Sequence, residues 1–456
     1  MIRAVRQACL ELGARGRLWK DRSVNLAIFV SATTIAIMTL LVKLASTGKE
    51  MVVAHQFGRG DALDAFLIAF LLPQFAVNVI SGSFTASMVP ALTRGLENDG
   101  LEATKRLVSE GLLLLILLLL GSVIVLKAVM PFALPILASG FTREKYLLTV
   151  HLYDSLLPAI VFNGLSIYGG AILNAGRAFA LPAVLPAVTP ILIVVMLLHV
   201  APGIHGLVWG TILGAAIELL LVMVAVKRAG WPLLPRWHGL TIQTRATIRQ
   251  YVPMMAGAFL MSGTGLVDQG MAAMLEPGSV AALNYGNKAV ALAAALGAGA
   301  LGTAVLPYFS QQAAREDWAG ARNTMHRYGL LILVTTVPLT LLAIFESEWI
   351  VRILFERGSF EVKDTKLVAM VQAMTLVQVP FYLMGTMGAR FLNAAGKNPI
   401  LLGISAFNLM VCIVGDFVLL HLFGVVGIAM AAALVSLLST ILIFLFVHRS
   451  LRGTTG

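Results

Sequence analysis

The sequence contains few cysteines and few charged residues, and each shortage excludes a class of protein. Its two cysteines, Cys9 and Cys412, lie in a polar N-terminal arm and in an apolar run, which excludes a disulfide framework and a paired-cysteine metal site. Charged residues make up 12% of the 456 residues, against about 25% in soluble domains. Hydrophobic residues make up 59%, and the mean hydropathy is +0.89. This composition predicts a polytopic membrane protein.

Motifs for nucleotide hydrolysis and for hydrolytic catalysis are also missing. The sequence has no GxxxxGK[ST] phosphate loop, and the Gly396-Lys397 pair lacks both the preceding glycine and the following hydroxyl. Neither HExxH nor GxSxG occurs. We therefore expect a protein that is not an enzyme and has no cofactor. Its energy would come from Na⁺ or H⁺ coupling, from the membrane potential or from the flow of substrate.

Apolar runs long enough to cross a bilayer, which takes about 20 residues in a helix, recur along the chain. The predicted fold is all-α, with about twelve transmembrane helices in two six-helix lobes. The predicted spans are residues 24–42, 62–92, 107–130, 147–173, 181–200, 204–226, 249–275, 280–309, 327–345, 367–394, 399–421 and 424–447.

The spans and the polar segments between them divide the chain into four parts. These are a basic arm (1–23), a first lobe (24–230), a cytoplasmic linker (231–248) and a second lobe (249–456). With the N-terminus inside, the cytoplasmic segments hold 22 of the 33 Lys and Arg residues, as the positive-inside rule requires. The net charge of +11 therefore reflects topology rather than nucleic-acid binding. We predict a multi-pass protein of the bacterial cytoplasmic membrane with both termini in the cytoplasm.

The two predicted lobes resemble each other in sequence at a nearly constant offset. Six spans per repeat give both lobes the same orientation, which predicts a pseudo-twofold axis along the membrane normal and a substrate site between the lobes. A duplicated scaffold that transports nothing is the alternative. The matching segments are 88–92 with 305–309, 174–176 with 393–396, and 204–207 with 425–428.

Charged side chains near the spans are the candidate functional residues, because charge at membrane depth is costly. Lys43, Lys49 and Glu50 follow the first apolar run. If the first helix continues past residue 42, Lys43 and Glu50 share a face beside a cavity. If it ends at Leu41, these residues form a solvated loop. Lys288 lies inside the eighth span, where it either faces a cavity or snorkels to the outer surface.

Carboxylates also occur within the spans. Asp268 lies in the middle of the seventh span, and the repeat offset places it close to the position of Glu50. Asn408 and Asp416 loosely share one face of the eleventh span. Carboxylate and amide oxygens at membrane depth suit Na⁺ or a proton relay, so these three are candidate ion-coupling residues. The alternative is an internal hydrogen-bonded pair, and no metal site is assigned.

Three lysines facing one cavity predict an anionic substrate, because the compact ammonium group is suited to phosphate. A saccharide on polyprenyl pyrophosphate is an anion that must cross the membrane while its tail stays in lipid. An ion-coupled antiporter of small cations or drugs is the alternative, and it would favour carboxylates alone. The sign of the cavity charge therefore separates the two functions.

Motifs in both halves recur in one known family. They are residues 57–66 (FGRGDALDAF), Leu72-Pro73, Ser83-Phe84, Val89-Pro90, Asn284-Tyr285 with Lys288, Gly302-Thr303, Leu306-Pro307 and residues 354–360 (LFERGSF). Over nearly the whole chain they resemble the MviN/MurJ family of lipid II flippases, in the multidrug/oligosaccharidyl-lipid/polysaccharide exporter superfamily. The resemblance implies two six-helix lobes with alternating access, which move a polyprenyl-pyrophosphate-linked saccharide from the cytoplasmic to the outer leaflet.

The resemblance also implies roles for particular residues. By motif spacing, the cavity cations of the family, usually arginines, correspond to Lys43, Lys49 and Lys288. The acid after the second cation corresponds to Glu50, and the second-helix aspartate corresponds to Asp64.

Two departures from the family pattern widen the expected substrate class. Val77-Asn78 stands where the family has an arginine, and the family usually has fourteen helices. The expected substrate is lipid II or another lipid-linked saccharide, such as an exopolysaccharide or O-unit repeat. The other expected partners are membrane lipids and proteins of glycan synthesis or polymerisation, and no nucleic acid is expected.

Overall fold

A computed structural model describes residues 24–176, 178–237, 239 and 242–452, and the predicted arm 1–23 lies outside this range. The regular structure in these residues is entirely helical. The first half contains α1 Val24–Phe57, α2 Asp61–Val77, α3 Ser83–Arg94, α4 Leu101–Leu137, α5 Arg143–Leu156, α6 Pro158–Ala175, α7 Ala180–Val184, α8 Val188–Val195 and α9 Ile204–Arg228. The second half contains α10 Ile242–Ala272, α11 Ser279–Ala304, α12 Leu306–Ala314, α13 Trp318–Phe345, α14 Ser347–Phe355, α15 Val362–Leu376, α16 Gln378–Ala394, α17 Asn398–Phe423 and α18 Val425–Arg452.

Short breaks join several of these helices into longer rods. A π-helical turn at Asn78–Gly82 connects α2 to α3, and another at Met196–Val200 extends α8. Pro158 lies in the first turn of α6, where its missing N–H costs nothing because the first turn has no intrahelical partner for that group. The backbone therefore stays hydrogen-bonded internally through the rods, as a bilayer requires.

Nine helical segments of the described chain are long and apolar enough to cross a membrane by length and composition. Their surface carries exposed apolar side chains such as Ile124, Phe132 and Phe345. Contact of so much apolar surface with water would be unfavourable, whereas contact with lipid is not. The long helices α1, α10 and α11 are not among the nine, and they contain the candidate residues Glu50, Asp268 and Lys288. The predicted number of twelve spans stays a prediction.

Two of the helices that extend beyond their predicted limits bear on the candidate residues and on the linker. Helix α1 continues past residue 42 to Phe57, so the solvated-loop alternative for Lys43, Lys49 and Glu50 is wrong. Helix α10 begins at Ile242, inside the segment 231–248 that the sequence predicts to be a linker. Both helices extend through polar residues because neighbouring helices cover them, which a local hydropathy pattern does not record.

The remaining linker is attached to the first half by side chains of α4. Ser109 Oγ donates a hydrogen bond to the carbonyl oxygen of Leu234 at 2.5 Å and accepts one from the N–H of Arg236 at 3.1 Å. Thr244, in the first turn of α10, donates to the carboxylate of Glu110, which is fully buried. The start of α10 is therefore fixed to the first half of the chain.

Hydrophobic packing joins the halves at one end of the bundle. One core cluster consists mainly of residues of the first half but includes Tyr285, Phe355 and Phe360. A second cluster lies entirely within residues 301–451. A third combines residues such as Ile68 and Leu134 with residues of α11, α15 and α18. The first and third clusters, which contain residues of both halves, lie near the junctions α1–α2 and α10–α11.

Polar pairs occur at corresponding places in the two halves. Thr189 of α8 donates to the carboxylate of Glu218 of α9 at 3.0 Å. The side-chain amide of Asn408, on α17, donates to Ser439 Oγ, on α18, at 2.9 Å. The two pairs are separated by the offset at which the sequence matches itself. They agree with the predicted repeat, which itself stays a prediction.

A stripe of glycines allows α9 to approach α8 closely. A Cβ on Gly210 would lie 2.7 Å from Ile193 Cα, and a Cβ on Gly214 would lie 2.8 Å from Thr189 Cα. The two glycines are four residues apart and face the same way, as in the small-residue interfaces of membrane helices.

We expect Gly210→Leu and Gly214→Leu each to destabilise the protein by about 1–3 kcal/mol, because a side chain there must push α8 away from α9. Gly121→Leu is the matched control, since a Cβ on Gly121 meets nothing within 4 Å. Thermal unfolding in detergent measures all three variants. Equal midpoints for the stripe variants and the control would contradict this packing.

Candidate functional site

Two lysines converge on one buried carboxylate between α1 and α11. Lys49 Nζ lies 2.7 Å from Glu50 Oε1, and Lys288 Nζ lies 2.8 Å from the same oxygen. The side chain of Glu50 is 8% exposed, whereas those of Lys49 and Lys288 are 23% and 34% exposed. We call these three residues, with Lys43, the cationic cluster.

The cationic cluster retains positive charge and free hydrogen-bond donors. Lys43 lies two turns before Glu50 on α1, close enough to Lys288 for their charges to repel. The three lysines outnumber the single carboxylate, so the side chains of the cluster sum to a net positive charge. Each ammonium group has three N–H donors, and Lys49 and Lys288 each direct one at Glu50. The others can reach an anion.

Asp64 joins the two halves of the chain at the buried start of α11. Its carboxylate accepts hydrogen bonds from the backbone N–H groups of Gly278 and Ala281, at 2.7 and 2.8 Å. Lys145 of α5 donates to it at 2.8 Å and to Asp61 at 2.6 Å. A carboxylate at a helix N-terminus satisfies N–H groups that have no intrahelical partner.

Further contacts surround this joint. Arg59 donates from Nε to the carbonyl oxygen of Gly278 at 3.2 Å and pairs with Asp364 at 3.4 Å. The N–H of Ser359 donates to the carbonyl oxygen of His55 at 2.9 Å. We call the set that links the halves here the gate cluster: Arg59, Asp61, Asp64, Lys145, Gly278, Ala281 and Asp364.

The gate cluster closes the bundle beyond the cationic cluster. Glu50 lies seven residues before the end of α1, which is about 10 Å along a helix at 1.5 Å per residue. Lys288 lies a similar distance from the start of α11, where Asp64 binds. One end of the space between the halves is therefore sealed within about two helical turns of the lysines.

A second group of acids lies between α10 and α17. Asp268, Cys412 and Asp416 each bring one side-chain atom within 4.8 Å of the others. Cys412 Sγ lies 3.1 Å from Asp268 Oδ1 and 3.6 Å from Asp416 Oδ2. Asp416 is fully buried, and among the described residues no basic side chain pairs with either acid. We call these three residues the carboxylate–thiol cluster.

The structure brings some predicted site residues together and separates others. Lys49, Glu50 and Lys288 are in contact, as are Asp268 and Asp416 with Cys412. Asp64 does not contact the cationic cluster, because the start of α11 and Lys145 occupy its carboxylate. Asn408 lies two turns from Asp416 on α17 and donates a hydrogen bond to Ser439, and its predicted role in ion coupling stays a prediction.

Sequence reasoning missed Lys145 and Cys412. Cys412 lies one turn before Asp416, and this spacing places the two on one helix face. That signal was available in the sequence. Lys145 has no such local signal, because its partner Asp64 is distant in the chain and the two meet only through tertiary packing.

Two bundles joined at one end over a charged, partly accessible space define a membrane transporter of the two-lobe type. A sequence profile described as lipid II flippase MurJ matches residues 53–456. The chain belongs to the lipid II flippase MurJ family. It is similar to the probable lipid II flippase MurJ of Synechocystis sp., with 27% identity over 92% of this chain and 82% of the relative. It is also similar to lipid II flippase MurJ of Burkholderia cenocepacia, with 25% identity over 92% and 83%.

Solved structures share the fold. A lipid II flippase MurJ in an inward closed conformation gives a TM-score of 0.76, with 21% identity over 91% of this chain and 87% of the other. An inward-facing multidrug resistance MATE family transporter of the MOP superfamily gives a TM-score of 0.75, with 12% identity over 93% and 100%. The all-α, polytopic fold and the family predicted from the sequence are confirmed.

We expect Asp64→Asn to open the gate cluster, because it leaves the buried ammonium of Lys145 short of a compensating charge. Breaking a buried ion pair costs about 3–5 kcal/mol. Ala282 is fully buried beside the joint, so labelling of an Ala282→Cys variant by a membrane-impermeant maleimide reports opening. The expected increase in labelling rate is at least tenfold, after subtraction of the parent protein's signal.

Asp61→Asn is the matched control. Asp61 pairs with the same lysine, but its side chain is 55% exposed, and surface pairs contribute about 0–1 kcal/mol. Its labelling rate should stay within about twofold to fivefold of the parent rate. Equal rates for Asp64→Asn and Asp61→Asn would show that Asp64 does not hold the gate.

Proposed function

We propose that this protein flips a polyprenyl-pyrophosphate-linked saccharide of the lipid II type from the cytoplasmic to the outer leaflet by alternating access. The observation that carries the proposal is the cationic cluster, in which Lys49 and Lys288 contact a single carboxylate, Glu50, and Lys43 lies two turns before it on α1. Membership of the lipid II flippase MurJ family supports the substrate class. No step requires catalysis, since the saccharide lipid is moved and not changed.

The chemistry of the cationic cluster matches a pyrophosphate. Glu50 offsets one of the lysine charges in the empty site, which lowers the cost of keeping three ammonium groups at membrane depth. An arriving pyrophosphate supplies negative charge and several acceptor oxygens, and the spare N–H donors of Lys49 and Lys288 can bind them. Binding of an anion therefore neutralises the lysine charge that Glu50 leaves uncompensated.

The sign of this charge argues against the alternative of a small-cation or drug antiporter. A cation entering between α1 and α11 would meet a net positive cluster and be repelled. The exposed carboxyl surface that would attract it is missing there, since the one acid of the cluster is 8% exposed. The MATE transporters share the fold, but fold alone does not set the substrate.

The gate cluster supports an assignment of this conformation to one step of the transport cycle. With the topology predicted from the sequence, the gate lies on the external side. The protein is then closed to the outside while the cationic cluster is reached from the cytoplasm. We infer a bacterial cytoplasmic-membrane protein with both termini inside, in which the gate opens after the substrate has entered.

We further propose that the carboxylate–thiol cluster carries a proton that couples the cycle to a proton gradient. A half-buried carboxylate, Asp268, and a buried one, Asp416, have side-chain oxygens within 4.8 Å of each other and need a positive charge between them. Na⁺ is a hard cation that prefers oxygen ligands, whereas a thiol is a soft ligand. The third side chain of the cluster, Cys412, offers a sulfur atom where Na⁺ would need an oxygen ligand. A proton has no such requirement, so these residues fit Na⁺ poorly and a proton well.

We expect Lys288→Gln to lower the flipping rate about 10- to 100-fold, because it removes charge-assisted hydrogen bonds worth about 1.5–3 kcal/mol. Lys49 still pairs with Glu50 in this variant, so the acid stays compensated and the protein should fold. Proteoliposomes containing lipid II with a fluorescent label, quenched from outside, measure the rate. Lys288→Arg, which keeps the charge, should retain most of the rate.

Lys127→Gln is the matched control for Lys288→Gln. Lys127 also pairs with one acid, Asp154, but its side chain is 55% exposed and lies outside the cationic cluster. Its flipping rate should equal that of the parent. If Lys288→Gln flips the lipid at the parent rate, the cationic cluster does not bind the substrate.

For the coupling ion, we expect the flipping rate to be unchanged within about twofold when K⁺ replaces Na⁺, and to fall when an imposed pH gradient is collapsed. Cys412→Ser replaces the soft sulfur by a hard oxygen. This variant should gain a dependence on Na⁺ that the parent lacks. Loss of the parent's activity on removal of Na⁺ would overturn the assignment of a proton.

A further inference from the structure

An open groove of about 940 Å³ separates the first half of α10 from the start of α17. It is distinct from the cationic cluster and from the gate cluster, and it shares no residue with either. The groove forms because the two halves of α10 pack against different helices. In its first half Tyr251 packs edge-on against Phe84 of α3, and in its second half Gly263 lies against Leu409 of α17.

One end of the groove is basic. Arg245 and Arg249 are one turn apart on α10, both are exposed, and neither pairs with an acid among the described residues. Asn398 and Pro399, in the first turn of α17, face them across the groove. No side chain caps this helix. Pro399 has no N–H and Ile400 donates to the carbonyl oxygen of Lys397, so the N–H of Asn398 is the first-turn donor left to bind an anion. Two guanidinium groups and a helix N-terminus therefore converge on one place.

The rest of the groove is apolar. Met254, Met261 and Leu402 line it, and all three are exposed. Gly257 leaves its middle open, since a Cβ there would still be 4.0 Å from the nearest side-chain atom, on Leu402. From Arg245 to Met261 the groove follows sixteen residues of α10, which is about 24 Å. That length corresponds to about one leaflet, from the headgroup to the middle of a bilayer whose hydrocarbon core is about 30 Å thick.

We propose that this groove binds one anionic phospholipid. Its phosphate lies between Arg245, Arg249 and the N-terminus of α17, and an acyl chain lies along Met254, Gly257 and Met261. The charge of the basic end selects an anionic headgroup, and the apolar length selects a molecule with a long chain. With the predicted topology, the lipid comes from the cytoplasmic leaflet. It fills the space between α10 and α17 that protein side chains leave open.

Binding of defined lipids to the purified full-length protein in neutral detergent tests this site, with native mass spectrometry as the measurement. The probes are dipalmitoyl phosphatidylglycerol, dipalmitoyl phosphatidylcholine and glycerol phosphate. We expect phosphatidylglycerol to bind at least tenfold more tightly than either of the others. Arg245→Gln/Arg249→Gln should remove this preference. Gly257→Phe, which blocks the apolar middle with both arginines present, should also weaken phosphatidylglycerol binding.

Arg228→Gln/Arg315→Gln is the control pair, since both arginines are exposed and lie outside the groove. It lowers the total charge equally and should leave the preference intact. Equal losses of the phosphatidylglycerol preference in the two double variants would mean that the lipid is attracted by the overall charge of the protein. That result would overturn the site. Glycerol phosphate binding as tightly as phosphatidylglycerol would show a site for free phosphate. Displacement of phosphatidylglycerol by undecaprenyl phosphate at equal concentration would assign the groove to the transported lipid instead.

Discussion

One buried carboxylate, that of Asp64, joins the two halves of this protein. It belongs to α2 but completes the N-terminus of α11, where it accepts two backbone N–H groups, and it also holds the ammonium of Lys145. Each of these partners would be costly to bury alone, because an unpaired charge or donor in a low dielectric loses its hydration without replacement. Asp64 and Lys145 both belong to the first half, so their ion pair does not require the second half, whereas the hydrogen bonds from Gly278 and Ala281 form only while the halves are together. Separating the halves exposes the ion pair and the two N–H groups to water, which can replace the lost hydrogen bonds. This property suits an element that has to open and close.

The cost of burying an unpaired charge also determines how the charged side chains inside the protein are arranged. The long helices α1, α10 and α11 contain the charged residues Lys49, Glu50, Asp268 and Lys288, and α17 contains Asp416. Polar residues at membrane depth survive where other protein or water covers them. In the cationic cluster the compensation is partial, since one carboxylate faces three lysines. In the carboxylate–thiol cluster it is also partial, with two acids and no described base. On the proposed function, an anionic substrate would complete the first cluster and a proton the second, so the two partners have opposite charges.

The fold class and the family could be predicted from the sequence, because apolar runs and local motifs are properties of neighbouring residues. Contacts between distant residues could not. The apolar run that ends near residue 42 left open whether α1 continues to Phe57, since the continuation depends on helices that cover Lys49 and Glu50. The motif containing Asp64 was visible, but its partners, Lys145 and the N–H groups of α11, depend on how the halves meet. Asn408 shares a helix with Asp416, yet the path of α18 places Ser439 beside it. In each case the sequence identified the residue as a candidate, and tertiary packing determined its partner.

The carboxylate–thiol cluster and the gate cluster are close in the chain, which bears on how one site could affect the other. Asp268 lies one turn before Ala272, where α10 ends, and Gly278, which donates to Asp64, lies directly before α11. The turn between them is tightly packed, because Ala272 and Ala273 are buried and the backbone of Ala273 closely approaches Gly140. A connection this short and this closely packed has few ways to absorb a displacement. If a change of charge between Asp268 and Asp416 repacks α10 on α17, the start of α11 has to move with it. The hydrogen bonds to Asp64 depend on the position of that start, so under the proposed proton coupling the gate would respond to the charge of the acids without a separate signalling element.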